Sequence, residues 1–137
     1  MKYIVYLSAA RKLFSDQDLE AILTVSRRNN AINNITGILL YQDGAVMQMI
    51  EGDAADVDNL YACLLMDNRH HHVIQVMAGN SDERYFGEWS MAFSQITETQ
   101  WKEVSGYLNP NDISKVGNLK EISTIINSFV RANFNRY

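Results

Sequence analysis

Two periods of apolar residues alternate along this chain. "KYIVYLS", residues 2 to 8, is β-branched and aromatic and predicts a first strand. Ser15 with Asp18 three residues on forms an imperfect capping box. Leu19, Ile22, Leu23 and Ser26 follow at helical spacing, which predicts a helix over about Asp16 to Asn29. "NITGILLYQDGAVMQMIEG" holds two strand-like runs around Asp43-Gly44, a dipeptide suited to the positive φ of a tight hairpin turn. Asp53 is placed to cap a second helix, where Val57, Leu60, Tyr61 and Leu64 share one face before "MDNRHHH" breaks the pattern. Two more strands are predicted, "VIQVMAG" from Val73 and "EWSMAFSQI" from Glu88. In the second, Trp89, Met91 and Phe93 alternate with Ser90, Ala92 and Ser94. Thr97 and Gln100 open a short helix containing Trp101 and Val104, and beyond Pro110 a last helix carries Leu119, Ile122, Ile126, Phe129 and Val130.

The predicted order is β-α-β-β-α-β, then one strand and two helices, and its first six elements match the split ferredoxin-like unit. The expected fold class is α+β. It comprises a five-stranded mixed sheet with two helices on one face and the two C-terminal helices on the other. Residues 1–96 would form the core and 97–137 a helical extension offering an output or oligomer surface. The first and third strands are expected to be parallel neighbours at the sheet centre, which sets Tyr6 beside Gln48. Val46 and Ile50 flank Gln48 on one face while Met47 and Met49 take the other, so both faces should be covered.

Composition narrows the partners. The 137 residues are 47% hydrophobic and 20% charged, ordinary values for one globular domain. A net charge of −4 with a pI near 5.3 argues against nucleic acid or anionic lipid, which demand a concentrated basic face. The pair Arg27-Arg28 reads as a solvated helix face. A lone cysteine and an opening without a charged leader favour the cytosol, and no apolar run approaches the ~18 residues that cross a bilayer.

Chemistry concentrates on Gln48. On a central strand its amide is buried, and leaving it unpaired would cost roughly 1–3 kcal/mol. Two readings of its neighbour Tyr6 stand open. The pair simply satisfies two buried groups, or both tips face a polar, planar ligand between the helices and the sheet. Helix one would add Ser26 and Asn30, one turn apart, although an Asn at a helix end also serves as a C-cap. Past helix two, Asp67, Arg69 and His70 gather a carboxylate, a guanidinium and an imidazole, with a solvated loop as the plain alternative. His70, His71 and His72 do not suit a metal, because neighbours on an extended stretch point to alternate sides. Nucleophile-elbow, zincin, P-loop and dinucleotide fingerprints are all missing. Cys63, among Leu60, Leu64 and Leu65, is expected to be an inert core thiol.

These residues resemble the BLUF family, blue-light sensors that bind flavin. The likeness lies in Tyr6-Leu7-Ser8, in Asn29-Asn30 followed by Ile35-Thr36-Gly37, and in Gln48 followed by Glu51-Gly52. It continues in Asp67-Asn68-Arg69-His70, Arg84-Tyr85-Phe86 and Trp89-Ser90-Met91, covering about residues 2 to 96. The resemblance implies a flavin ring between helices one and two, edge-on to the sheet, with FAD expected and FMN or riboflavin open. It implies that Asn30 bonds the ring's amide edge, that Arg69 and His70 approach its carbonyl side, and that Ile22 packs on its face. Ser8, Ser26, Asn29 and Asp67 would border the site. Some members carry His where Asn29 stands, and the frequent Phe two residues before the Gln is Val46 here. The implied switch is Tyr6 and Gln48, read out by Trp89 and Met91, with no substrate turned over.

Three functions are therefore weighed. The first is a stand-alone photoreceptor, since about 40 residues after position 96 leave no room for an enzymatic output domain. Its output would pass through an unknown protein partner, with homo-oligomerisation expected. The second is a small acylphosphatase-type enzyme in which Arg11, Lys12 or Asn30 would bind an anion, though that loop lacks the glycines of a phosphate cradle. The third is a colourless metabolite-binding regulatory module.

Overall fold

The structure, a computed structural model, describes residues 1–42, 44–87 and 90–95. Its elements are β1 (Lys2–Ala10), α1 (Asp16–Ile32), β2 (Thr36–Gln42), β3 (Ala45–Gly52), α2 (Ala54–Met66), β4 (His70–Asn80) and β5 (Ala92–Gln95). They build one five-stranded sheet in the order β4-β1-β3-β2-β5. Trp89 and the helices expected after residue 97 lie outside the described residues.

Local chemistry explains the boundaries. At the start of α1 the Ser15 hydroxyl accepts from the Asp18 amide at 3.1 Å and the Asp18 carboxylate accepts from the Ser15 amide at 3.0 Å. The box that looks imperfect in sequence is thus reciprocal. Asp53 stands at the N-cap of α2 but its side chain makes no capping bond there. Gly44 turns the β2–β3 hairpin at φ 93°, a conformation that penalises a side chain. Gly37 answers a different need: a Cβ there would lie 2.0 Å from the Met49 carbonyl oxygen, so the strand pair closes only over a bare backbone.

β1 and β3 are neighbours, as expected, but they run antiparallel rather than parallel. The crossover through α1 leaves β1 and β2 co-directional with a gap between them. The hairpin then returns β3 into that gap in the opposite sense. Tyr6 pairs directly with Gln48, and Gln48 in turn with Leu39. β5 joins the edge parallel to β2, so the sheet is mixed.

Ile4, Leu39, Tyr41, Val46 and Ile50 of the sheet pack with Leu19 and Leu23 of α1 and Val57 of α2, placing both helices on one face. The alternate residues of β3, Met47 and Met49, are equally buried, so both faces of this strand are dry. Three sequence expectations need correction. β5 starts at Ala92, leaving Met91 in a bend before it rather than on the strand. β4 starts at His70 rather than Val73. Three steps on β1, Leu7 to Ala10, face four on β4, Ile74 to His70, and His72 sits at φ 53°. That bulge turns His70 onto the helix face. Cys63 is exposed, because six residues past Val57 falls off the stripe formed by Leu60, Tyr61 and Leu64.

Candidate functional site

Between the helix face of the sheet and the two helices lies a cleft of about 550 Å³, part of it open to solvent. Leu19 and Ile22 of α1, Leu39, Tyr41 and Val46 of the sheet, Leu64 of α2 and Phe14 make its apolar lining. Tyr6, Gln48, Ser26, Asp67, Arg69 and His70 supply its polar groups. Apolar walls with a few convergent polar tips are the usual form of a small-molecule site.

The floor is the pair anticipated from sequence. Tyr6 is 1% and Gln48 6% exposed, and the phenol donates to Gln48 Oε1. The amide nitrogen Nε2 donates to the thioether of Met91 at 3.7 Å. A thioether is a weak acceptor and the amide carries two N–H groups, so Gln48 has more donor capacity than these described neighbours use. Burial holds the Tyr6 phenol far above its ordinary pKa. The Asp67 carboxylate and Tyr61 push the same way, and Arg69 opposes them.

The walls position the rest. Asn30 is buried near the end of α1 and donates to the Ser90 carbonyl at 2.8 Å, while Arg27 Nε donates to the Met91 carbonyl at 3.0 Å. Arg27 is thus tied to the segment before β5 rather than wholly solvated. His70 reaches Ser8 Oγ through Nδ1 at 2.9 Å and the Leu64 carbonyl through Nε2 at 2.6 Å, joining α2 to β1. At the rim, Arg69 grips Asp67 through Nε and Nη2, the shortest bond being 2.5 Å. That grip holds the Asp67 carboxyl below its usual range, against some burial.

Of the residues singled out from sequence, Tyr6, Ile22, Ser26, Gln48, Asp67, Arg69 and His70 line the cleft. Ser8 and Met91 act on it through His70 and Gln48, and Asn30 is buried against Ser90. Asn29 is exposed on α1. Arg11 and Lys12 are exposed and Asn30 is committed to a carbonyl, so the three do not build an anion cradle. Among the described residues no group of three or more His, Cys, Asp or Glu could hold a metal, and no helix is long and apolar enough to cross a membrane.

Sequence reasoning missed Phe14 and Tyr41, whose rings lie 5.2 Å apart, with the Phe14 amide donating to Tyr41 Oη at 2.8 Å. Tyr41 and Leu39 alternate on the face that carries Gln48, a period-2 signal that was available. Glu51 was noted only as a motif letter. It is fully buried and accepts from Thr36 Oγ1 and from the Tyr85 and Phe86 amides.

The residues fit a flavin: a slot with apolar sides, polar groups along its rim and floor, and a buried amide with donor capacity to spare. Comparison with known proteins agrees. Over 89 residues, 64% of this chain and 10% of the other, the chain is 38% identical to photoactivated adenylate cyclase subunit beta of Euglena longa. Over 88 residues, 64% of this chain and 22% of the other, it is 26% identical to the blue light- and temperature-regulated antirepressor BluF of Escherichia coli K12. The chain thus spans about a tenth of the length of the curated cyclases it matches. BlrB, a BLUF protein solved in its dark state, superposes with a TM-score of 0.70 at 26% identity, covering 89% of this chain and 96% of that one. BlsA in its photo-activated state gives 0.68 at 29% identity, covering 88% and 92%. The family model described as sensors of blue-light using FAD matches residues 1–92, and this chain, a flavin-binding blue-light sensor, belongs to that family, BLUF.

Proposed function

We propose that the chain is a photoreceptor whose flavin is FAD and whose switch is the Gln48 amide. The observation that carries this reading is the buried row Tyr6 Oη, Gln48 and Met91 Sδ, in which one amide joins a phenol to a thioether. Ile22, Ser26, Asp67, Arg69 and His70, which line the cleft, are the residues that would hold the flavin, with Asn30 and Ser8 supporting them. Asn29 is kept as a bordering residue only.

When bound, the flavin supplies blue-light absorption and an excited state that accepts one electron. The chain supplies the rest. With the flavin bound, Tyr6 would be the donor of that electron, and its phenol, made strongly acidic, would pass its proton to Gln48 Oε1 along the existing hydrogen bond. The protonated amide would be free to rotate. Return of the same electron to Tyr6, with one proton given back by the amide, would leave the amide rotated or as its tautomer, with donor and acceptor ends exchanged. An amide suits this task because its ends differ in hydrogen-bond sense but hardly in size. Nε2, which faces the Met91 sulfur in the dark, is then replaced by a group of opposite sense. Trp89 is proposed to share that readout with Met91.

Output passes to a protein partner rather than to a substrate. The proposed division is a sensing core over 1–96 and a surface for that partner, or for a second copy, over 97–137, supported by the apolar spacing from Leu119 to Val130. A cytoplasmic setting is favoured by the lone cysteine. The deciding experiment is a difference spectrum of the purified protein, with mass analysis of the released chromophore. Blue light should red-shift the flavin bands reversibly, and Tyr6→Phe should retain flavin and lose the shift. A colourless protein that also rejects added flavin overturns the reading.

A further inference from the structure

Glu51 is the one fully buried carboxylate among the described residues, and nothing in the switch described above uses it. It lies on β3 three residues beyond Gln48. Its Oε1 accepts from Thr36 Oγ1 at 2.9 Å and from the Phe86 amide at 2.7 Å, and its Oε2 accepts from the Tyr85 amide at 2.8 Å. Arg84 completes the clasp, donating to Thr36 Oγ1 at 3.0 Å, to the Glu51 carbonyl at 3.3 Å and to the Asn34 carbonyl at 2.7 Å. Three donors converge on the two carboxylate oxygens. Only a group that accepts at both ends answers them, since a primary amide would set an N–H against another donor.

What this clasp holds is the chain that leads to Met91. Tyr85 and Phe86 are buried, and five residues on, Met91 is buried against the Gln48 amide. The far end of the segment is tied to α1 by Asn30 and Arg27 at the Ser90 and Met91 carbonyls. The segment is therefore anchored twice. One anchor belongs to α1 and the other to the same strand that carries the switch. Five positions separate Phe86 from Met91, so at most ~18 Å of chain joins the clasp to the sulfur.

We propose that Glu51 is a positioning residue of the switch: its carboxylate fixes residues 84–86 on the ends of β2 and β3 and so sets where the Met91 sulfur stands against Gln48. The proposal rests on reading Gln48 as the switch. It predicts that loosening the clasp alters both the dark position of Met91 and the time the rotated amide takes to return, because Met91 is the neighbour the amide must displace.

The test is Glu51→Gln in the full-length flavin-loaded protein, read in the dark by the methionine-methyl NMR resonance of Met91 and by amide exchange at Tyr85 and Phe86, and after light by the recovery rate. Expected are exchange faster by at least about tenfold at Tyr85 or Phe86, a displaced Met91 resonance, and recovery altered severalfold. Val5→Ala, a cavity on the sheet face away from the cleft, serves as the control: it should lower the melting temperature and leave the Met91 resonance and recovery in place. An unmoved Met91 resonance in Glu51→Gln overturns the proposal, as does an equal displacement in Val5→Ala. If Glu51→Gln does not fold, Thr36→Val, which removes one arm of the clasp, decides by the same readouts. If the wild type shows no light shift, the photoreceptor reading fails, and the dark Met91 resonance still decides whether Glu51 positions it.

Discussion

The floor and the rim of the cleft hold their polar groups in opposite ways. At the floor, Tyr6, Gln48 and Met91 are linked by one hydrogen bond and one weak N–H to sulfur contact, all sealed from water. At the rim, Asp67 and Arg69 carry full charges and share three side-chain bonds of 2.5–3.1 Å, with the Arg69 side chain 54% exposed. The rim has more bonds, and the floor has more leverage. Water competes for and screens the rim pair, whereas a floor group that loses its partner finds no substitute. A switch built at the floor acts on neighbours that must respond. One built at the rim would be absorbed by solvent.

The comparison breaks most readily at Gln48. Gln48→Leu removes the amide and leaves the Tyr6 phenol without its acceptor. The light-induced shift should disappear, and the melting temperature should fall by an amount equivalent to about 1–3 kcal/mol, the cost of an unpaired buried hydroxyl. A retained red shift would place the switch elsewhere. A smaller effect is expected in alkali. Since the folded phenol of Tyr6 titrates far above its unfolded value, its contribution to stability is fully present below about pH 10 and is lost as pH rises beyond it. In an ultraviolet titration, the Tyr6 phenol should resist ionisation until the protein unfolds, and Tyr6→Phe should remove that component.

How much of this was legible follows the same division between local and distant causes. The strands, α1, the hairpin at Gly44 and the Tyr6–Gln48 pairing were readable, because period and turn chemistry are local and the pairing follows from the element order. The direction of β3 against β1 was misread, although the crossover rule contains it. His70 could not be placed, because the bulge at His72 breaks the period by which side-chain direction is inferred. Met91 looked like a strand residue on its alternation with Phe93, and it stands in the bend before β5. The role of Glu51 was hidden for another reason: its partners are backbone amides 34 and 35 residues downstream, which carry no side-chain signature. Cys63 shows that a residue flanked by leucines is buried only if it shares their stripe.

The rim supplies the smallest and most discriminating prediction. Asp67→Asn removes the charge and keeps a side-chain oxygen for the Arg69 amide, which Asp67 Oδ1 accepts from at 3.0 Å. Since Arg69 depresses the folded Asp67 pKa, the pair stabilises the protein above the ordinary carboxyl value of about 3.9, and the gain is lost as pH falls through the lower folded value. Exposure limits it to about 0.2–1 kcal/mol near neutrality, fading at molar salt. Paired melts of wild type and Asp67→Asn should therefore differ slightly at pH 7, converge below about pH 4, and show the light shift in both. If the variant lost its photocycle, or cost as much stability as Gln48→Leu, solvent exposure would not be what separates the two regions. Arg69 would then have to be counted as part of the switch, acting through the charge it places near the Tyr6 phenol.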